Sequence, residues 1–358
     1  MYATADNFPS PLWERANCID PSLHIHPGNL ASLAAKRVGS ISFSRARLFS
    51  RMLAGEPGLY TGFPISVRKS NSRNRPDAAV ILGEIRAGFP AAKRARVRNR
   101  NSIVYLSVPQ VADKWAGGRS NFGVPDLHYV GTRFDRRLDT TALNDFNLLP
   151  RGVHPFQSQD SLVISSCGTF TDSHSDDHAG SNHCFAGSKL WLMWDTLEGF
   201  RHGLEDVERC EVTDRAKFDM PQFLRMKSSR WLVIGPGQTM FIPANLTHKV
   251  ITLEHYLGLG SFHAGFPSLV DALLHWARLP PLWARNAASP SESSVEHLAR
   301  RAARKLRALG NADAAERARW GVPSLGIRLA RLGASKEAAS TAARDPNVQR
   351  LVRALERF

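Results

Sequence analysis

Between Ser102 and Phe262 the chain repeats one pattern: a short apolar run, rich in β-branched and aromatic residues, then a few turn residues. "SIVYLSV", "LHYVGTRF", "SLVISSCGTF", "SKLWLMW", "RWLVIGPG", "QTMFIPA", "HKVITLE" and "YLGLGSF" each read as a strand. Strands this close together predict an all-β sandwich or barrel. After Phe266 the pattern stops, and "SLVDALLHWARL" opens a helical region. Ser293 and Glu296 have capping-box spacing. Val295, Leu298, Ala302, Leu306 and Leu309 then recur at helical intervals, and Gly310 stands where a helix would stop. Asp345 and Pro346 predict one more helix start. Val348, Leu351, Val352, Leu355 and Phe358 make a further apolar stripe, to be buried on the β-domain, on neighbouring helices or on a second copy in a homodimer. The expected organisation is a mixed segment 1–100, a β core 101–270 with flanking helices, and a helical region 271–358.

The first hundred residues are less patterned. A helix is expected around Leu30–Leu53. "VRKSNSRNRP" reads as a loop, "AAVILGEI" as a strand or short helix, and "AAKRARVRNR" as a solvated helix face or a flexible loop.

The formal net charge is +15, and its placement is informative. Residues 67–100 hold ten Lys/Arg against two acids, and residues 291–358 hold fourteen against seven, so the remainder is neutral. Basic flanks suit an acidic or nucleic-acid partner, or simply reflect an arginine-rich, alanine-rich composition. No run approaches the roughly 18 apolar residues of a membrane span. The first residues lack a basic stretch followed by an apolar one, so no secretory signal is expected. Cys18, Cys167, Cys184 and Cys210 are scattered without a C-x-x-C pair, which suits free thiols in an intracellular, reducing compartment.

"TFTDSHSDDHAGSNHCFAGSKLWLMW", residues 169–194, carries the chemistry. Alternate residues of a strand share a face, so His174 and Asp176 can point at one metal ion. Asp172 also lies two residues from His174, so on spacing alone Asp172 and His174 are a live alternative. Far downstream, "GPGQTMFIPANLTHKVITLEH" reads as turn, strand, Pro, short bend and then His248 at the head of a strand. Two histidines and a carboxylate form the facial set that leaves positions open on Fe(II). Lys189 lies in an otherwise apolar strand and shares a face with Trp191 and Met193. A lysine there calls for an anionic partner, unless it guards a sheet edge.

"HSD" at 174–176, "GSKLWLMW" at 187–194 and "FIPANLTHKVITLEHYLGLGSF" at 241–262 together resemble the JmjC family of Fe(II)- and 2-oxoglutarate-dependent oxygenases. The resemblance spans roughly residues 155–265. It implies a double-stranded β-helix, or jelly roll, of the cupin superfold. It implies iron held by His174, Asp176 and His248, with O2 as oxidant. Lys189 would pair with the distal carboxylate of 2-oxoglutarate, and Thr171 would add a hydroxyl. His263, Asn182 and Tyr129 would be further co-substrate pocket residues. The loop around His178 and His183 is unusually polar for the family, so these two are either substrate contacts or surface histidines. The implied activity is hydroxylation of a protein side chain or a small molecule. The alternatives are lysyl N-demethylation and a non-enzymatic cupin-like protein that binds a metal or a partner.

Overall fold

The computed structural model describes residues 10–67, 78–99, 102–152, 157–176, 178–204, 218–244, 246–270 and 292–333, with single positions at 346, 349 and 353. The strands among them are β1 (Ser40–Ser42), β2 (Gly58–Thr61), β3 (Ser66–Val67), β4 (Arg94–Asn99), β5 (Ser102–Ser107), β6 (Phe122–His128), β7 (Leu138–Asp139) and β8 (Ser161–Ser165). They continue with β9 (Phe170–His174), β10 (Ala179–Ala186), β11 (Lys189–Asp195), β12 (Arg230–Ile234), β13 (Gln238–Ile242), β14 (Leu246–Thr252) and β15 (Tyr256–His263).

A nine-stranded sheet runs β1-β2-β13-β10-β15-β8-β6-β4-β5, a four-stranded sheet runs β12-β11-β14-β9, and β3 pairs with β7. The core is therefore β, as the sequence predicts. The large sheet also takes β1, β2 and β4 from the first hundred residues, so that segment is not a separate layer.

Alternation sorts each strand's side chains. On the small sheet, Leu190, Leu192, Trp194, Trp231 and Ile251 face outward and are covered by Trp13, Leu33 and Phe223. The Trp13 and Trp231 rings meet edge-on with centroids 4.8 Å apart, a contact worth about 1 kcal/mol beyond its buried area. The Trp231 indole N–H donates to the Leu33 carbonyl at 2.6 Å, tying the N-terminal helices to the sheet. The opposite face, with Trp191, Met193, Leu232, Ile234 and Val250, packs toward Cys184, Met240, Ile242 and Tyr256 of the large sheet. The outer face of the large sheet, with Leu162, Ile164, Leu257 and Leu259, is closed by Ile81, Ile85, Val108 and Val111 of helices Ala78–Gly88 and Val108–Ala116.

Six local expectations need correction. The loop around His183 is strand β10, Ala179–Ala186, and "SLVISSCGTF" is β8, a turn and the first residue of β9. The helix around Leu30–Leu53 is two helices, Leu30–Ala35 and Arg45–Ala54, separated by β1. "AAKRARVRNR" is neither helix nor loop in its second half, because Arg94–Asn99 form β4. Ala95 and Val97 point into the core and the arginines point out, a period of two that the high arginine content obscures. Only the first part of "LHYVGTRF" is strand, since β6 ends at His128 and Arg133–Arg137 form a short helix capped by the Thr132 hydroxyl. The predicted cap Ser293 lies one residue inside the helix Glu292–Ala308.

Leu298, Ala302 and Leu306 of that helix, and Leu309 just after it, are buried against Leu148, Leu149, Phe266 and Leu269. Val295 and the stripe Val348, Leu351, Val352, Leu355 and Phe358, with the expected start at Asp345, lie outside the side chains that are described. So does Cys210, while Cys18, Cys167 and Cys184 are free thiols. Among the described residues no helix is long and apolar enough to cross a membrane.

Candidate metal centre

The centre forms where β9, β14 and β11 lie side by side. His174 is the last residue of β9 and sits directly opposite His248 on β14, which in turn faces Met193 on β11. The two imidazole rings are 4.2 Å apart between centroids. Asp176 follows two residues after His174, and its Oδ2 lies 3.8 Å from Nε2 of His248. One donor atom from each of His174, Asp176 and His248 falls within 4.8 Å of the others.

The ring orientations are fixed from behind. Nδ1 of His174 lies 2.8 Å from the Asp172 carbonyl, and Nδ1 of His248 lies 3.3 Å from the Leu246 carbonyl. A carbonyl only accepts, so each Nδ1 carries the proton and each Nε2 presents a lone pair. Burial, and then the neighbouring His174, hold the His248 pKa well below its ordinary value. A buried neutral imidazole is the form that ligates a metal.

The backbone decides between the two aspartates. His174 pairs with His248 and Thr171 with Val250, so Asp172 and Ser173 together oppose Lys249. This bulge turns the Asp172 carboxylate toward Lys249, whose Nζ lies 3.3 Å from Oδ1. Asp176 is left as the carboxylate of the cluster.

A cavity of about 1070 Å³ opens onto the three side chains. Thr171, Asn182, Lys189 and Trp191 are in its wall. Lys189 is buried, and its Nζ sits 4.5 Å over the Tyr256 ring. Among the described residues no carboxylate pairs with it. Burial lowers its pKa from 10.5 to about 8, with the nearby Cys184 opposing the shift. Asn182 accepts a short hydrogen bond from the Tyr256 hydroxyl. Among the described residues the buried Trp191 indole N–H has no hydrogen-bond partner.

Two expected pocket residues lie elsewhere. His263 is outside the cavity wall, with Nε2 2.7 Å from the Ser181 hydroxyl and its ring packed on Phe146 and Phe241. Burial lowers its pKa to about 4. Tyr129 is fully buried beneath the sheet, edge-on to Phe134 at 5.7 Å, and it too is outside the wall. Strand alternation places a residue on a face, but not at a depth along it. His178 and His183 are not surface residues: both are buried, the first near Phe262 and the second 2.7 Å from the Thr239 hydroxyl.

Lys249 is a structural partner that the sequence reading passes over. Its ammonium lies 2.7 Å from Asp20 Oδ2 as well as 3.3 Å from Asp172, and it is almost fully buried. This ion triple locks the backbone behind both histidines to the N-terminal helix. The sequence signal was a lysine inside the apolar run "HKVITL", the same signal that singled out Lys189.

No protein-family model matches this chain, and no curated protein matches it.

Proposed function

We propose that this chain is an Fe(II)- and 2-oxoglutarate-dependent oxygenase of the JmjC type, built on a double-stranded β-helix. The observation that carries the reading is the convergence of two Nε2 lone pairs and one carboxylate on a cavity that also holds an unpaired buried lysine. The strand order supports it. Strands β8 to β15 divide into β13-β10-β15-β8 and β12-β11-β14-β9, with every step except β11 to β12 crossing between sheets. Such an order supports a jelly roll folded from paired strands.

The donor set suits a borderline divalent ion with open positions, and Fe(II) is the usual occupant of two histidines and one carboxylate. Lys189 and the unpaired Trp191 N–H suit an anion held in the same cavity. Lys189 lies four residues along β11 from Met193, the residue opposite His248, a backbone separation of about 13 Å. The imidazoles and the lysine chain narrow this gap from either end, leaving room for a small dicarboxylate such as 2-oxoglutarate between them. Iron held there by His174, Asp176 and His248 would, with O2, supply oxidative decarboxylation of 2-oxoglutarate to succinate and CO2 and insertion of the other oxygen atom into a substrate C–H bond.

The chain's own part is orientation and exclusion of water. The Asp172 and Leu246 carbonyls set the two imidazole tautomers. Lys189 supplies the counter-charge for a distal carboxylate, with Thr171 and Asn182 in the surrounding wall. Trp191, Val250 and Ile242 dry the cavity around these groups, which strengthens each charged contact.

The test is succinate formation from 2-oxoglutarate by purified protein with Fe(II). Iron-dependent succinate, lost in Asp176→Ala, is expected. Formaldehyde release from N-methylated substrates would move the reading to demethylation. Failure to bind either Fe(II) or 2-oxoglutarate would leave a non-catalytic cupin-like protein.

A further inference from the structure

The two sheets are unequal. The four-stranded sheet faces β13, β10, β15 and β8, while β6, β4 and β5 continue the large sheet beyond them. The face that lines the cavity therefore emerges into solvent on this overhang. The register traces the continuity: Arg98 pairs with Gly123, Gly123 with Ser165, and Ser165 with Tyr256, whose ring lies under Lys189. Arg98, Asn99 and Gly123 also belong to the cavity wall, at its mouth.

Along β4 this solvent face carries Arg94, Arg96 and Arg98, all exposed. Alternate residues of a strand are about 7 Å apart, so the guanidinium groups form an evenly spaced row. Arg96 stands opposite Tyr105 and Arg98 opposite Ile103. Tyr105 is 65% exposed and Ile103 48% exposed, among the most exposed large apolar side chains described. Among the described residues, neither Arg94 nor Arg96 has a carboxylate partner.

A row of cations calls for a linear polyanion, and guanidinium forks suit phosphodiesters. An acidic peptide would use the charge but would have no use for a bare aromatic ring set between arginines. Stacked bases use both, because single-strand binders pair a basic track with aromatic platforms. We infer that β4 and β5 dock a single-stranded nucleic acid and lead it into the cavity, so that the substrate class is a nucleic-acid strand. As a substrate assignment this rests on the oxygenase reading above; as a binding surface it does not.

The experiment is fluorescence anisotropy of the full, metal-free chain with a fluorescein-labelled 20-nucleotide single-stranded RNA and DNA of mixed sequence. Three phosphate contacts give a log–log salt slope near −2, or about a 20-fold loss of affinity from 50 to 200 mM salt. Arg94→Gln/Arg96→Gln is expected to flatten the slope to about −0.7. Tyr105→Ala is expected to weaken binding about fivefold or more. Arg304→Gln/Arg307→Gln, which takes the same charge from the other basic segment, is expected to change affinity less than twofold. The inference is overturned if that second pair carries the loss, or if duplex of equal length binds as tightly. It is also overturned if a polyglutamate peptide competes equally and Tyr105→Ala has no effect, which would make the occupant an acidic peptide. His174→Ala separates the two readings: strand binding should persist in that variant. Iron and 2-oxoglutarate binding without strand binding would sink this inference alone.

Discussion

Replacing Lys189 by methionine should stabilise the ligand-free protein. The lysine is buried, with the Tyr256 ring against its ammonium and, among the described residues, no carboxylate paired with it. Burial moves its pKa from 10.5 to about 8, which at 1.36 kcal/mol per pH unit is a penalty of about 3 kcal/mol for the charged form. The ring contact, worth about 1 kcal/mol, is lost in the variant, so a net gain of about 2 kcal/mol is expected at pH 7. The sign follows from proton binding. Between pH 8 and 10.5 the unfolded chain holds the lysine proton and the folded chain gives it up, so wild-type stability rises with pH across that window. Below it both states are protonated and the full penalty is present. Urea denaturation of wild type and Lys189→Met, followed by tryptophan fluorescence from pH 7 to 10, should show the variant's advantage shrinking as pH rises. The same variant should bind 2-oxoglutarate at least tenfold more weakly, because a charge-assisted contact is worth about 1.5–3 kcal/mol. A variant less stable than wild type at pH 7, with a pH-independent difference, would refute the unpaired buried cation.

Other consequences follow from single contacts. Lys249→Met leaves the buried Asp20 without its cation at 2.7 Å and should destabilise the fold by about 3 kcal/mol or more, measured by the same urea titration. Asp20→Asn/Lys249→Met, which removes both charges, should recover part of that loss. Gly187→Ala should be at least as severe, because φ is +76° there and a Cβ would sit 1.9 Å from the His255 carbonyl oxygen. Its readout is the yield and melting temperature of folded protein. His263→Ala removes a ring packed between Phe146 and Phe241, outside the cavity wall. It should lower stability while leaving the 2-oxoglutarate dissociation constant within about twofold, since the ring does not reach the cavity.

Strands β11 and β14 were legible because each is a largely apolar run bounded by turn residues, whereas β9, Phe170–His174, is mostly polar and gives little strand signal. His174, His248 and Lys189 reach one cavity because β9, β14 and β11 hydrogen-bond side by side, and Asp176 follows two residues past the end of β9. The choice between Asp172 and Asp176 was not legible from spacing. It depends on a bulge opposite Lys249, and a bulge breaks the very alternation from which faces are read. The overhanging strand β4 was hidden for another reason. Its exposed positions are all arginine, so composition suggested a solvated segment, and only Ala95 and Val97 mark the buried face. Tyr129 and His263 show the remaining limit. Both are on elements that reach the centre's neighbourhood, but sheet curvature and aromatic packing, set by residues far apart in sequence, put them behind the cavity wall.

The most direct test of the oxygenase reading is an anaerobic titration of the purified chain with Fe(II) and then 2-oxoglutarate, followed by visible absorption. One iron per chain is expected, with a charge-transfer band that appears only when both are present. Asp176→Ala should give no band, and Lys189→Met a band only at much higher 2-oxoglutarate concentration. Equal iron binding by wild type and Asp176→Ala, or no band at saturating 2-oxoglutarate, would contradict that reading.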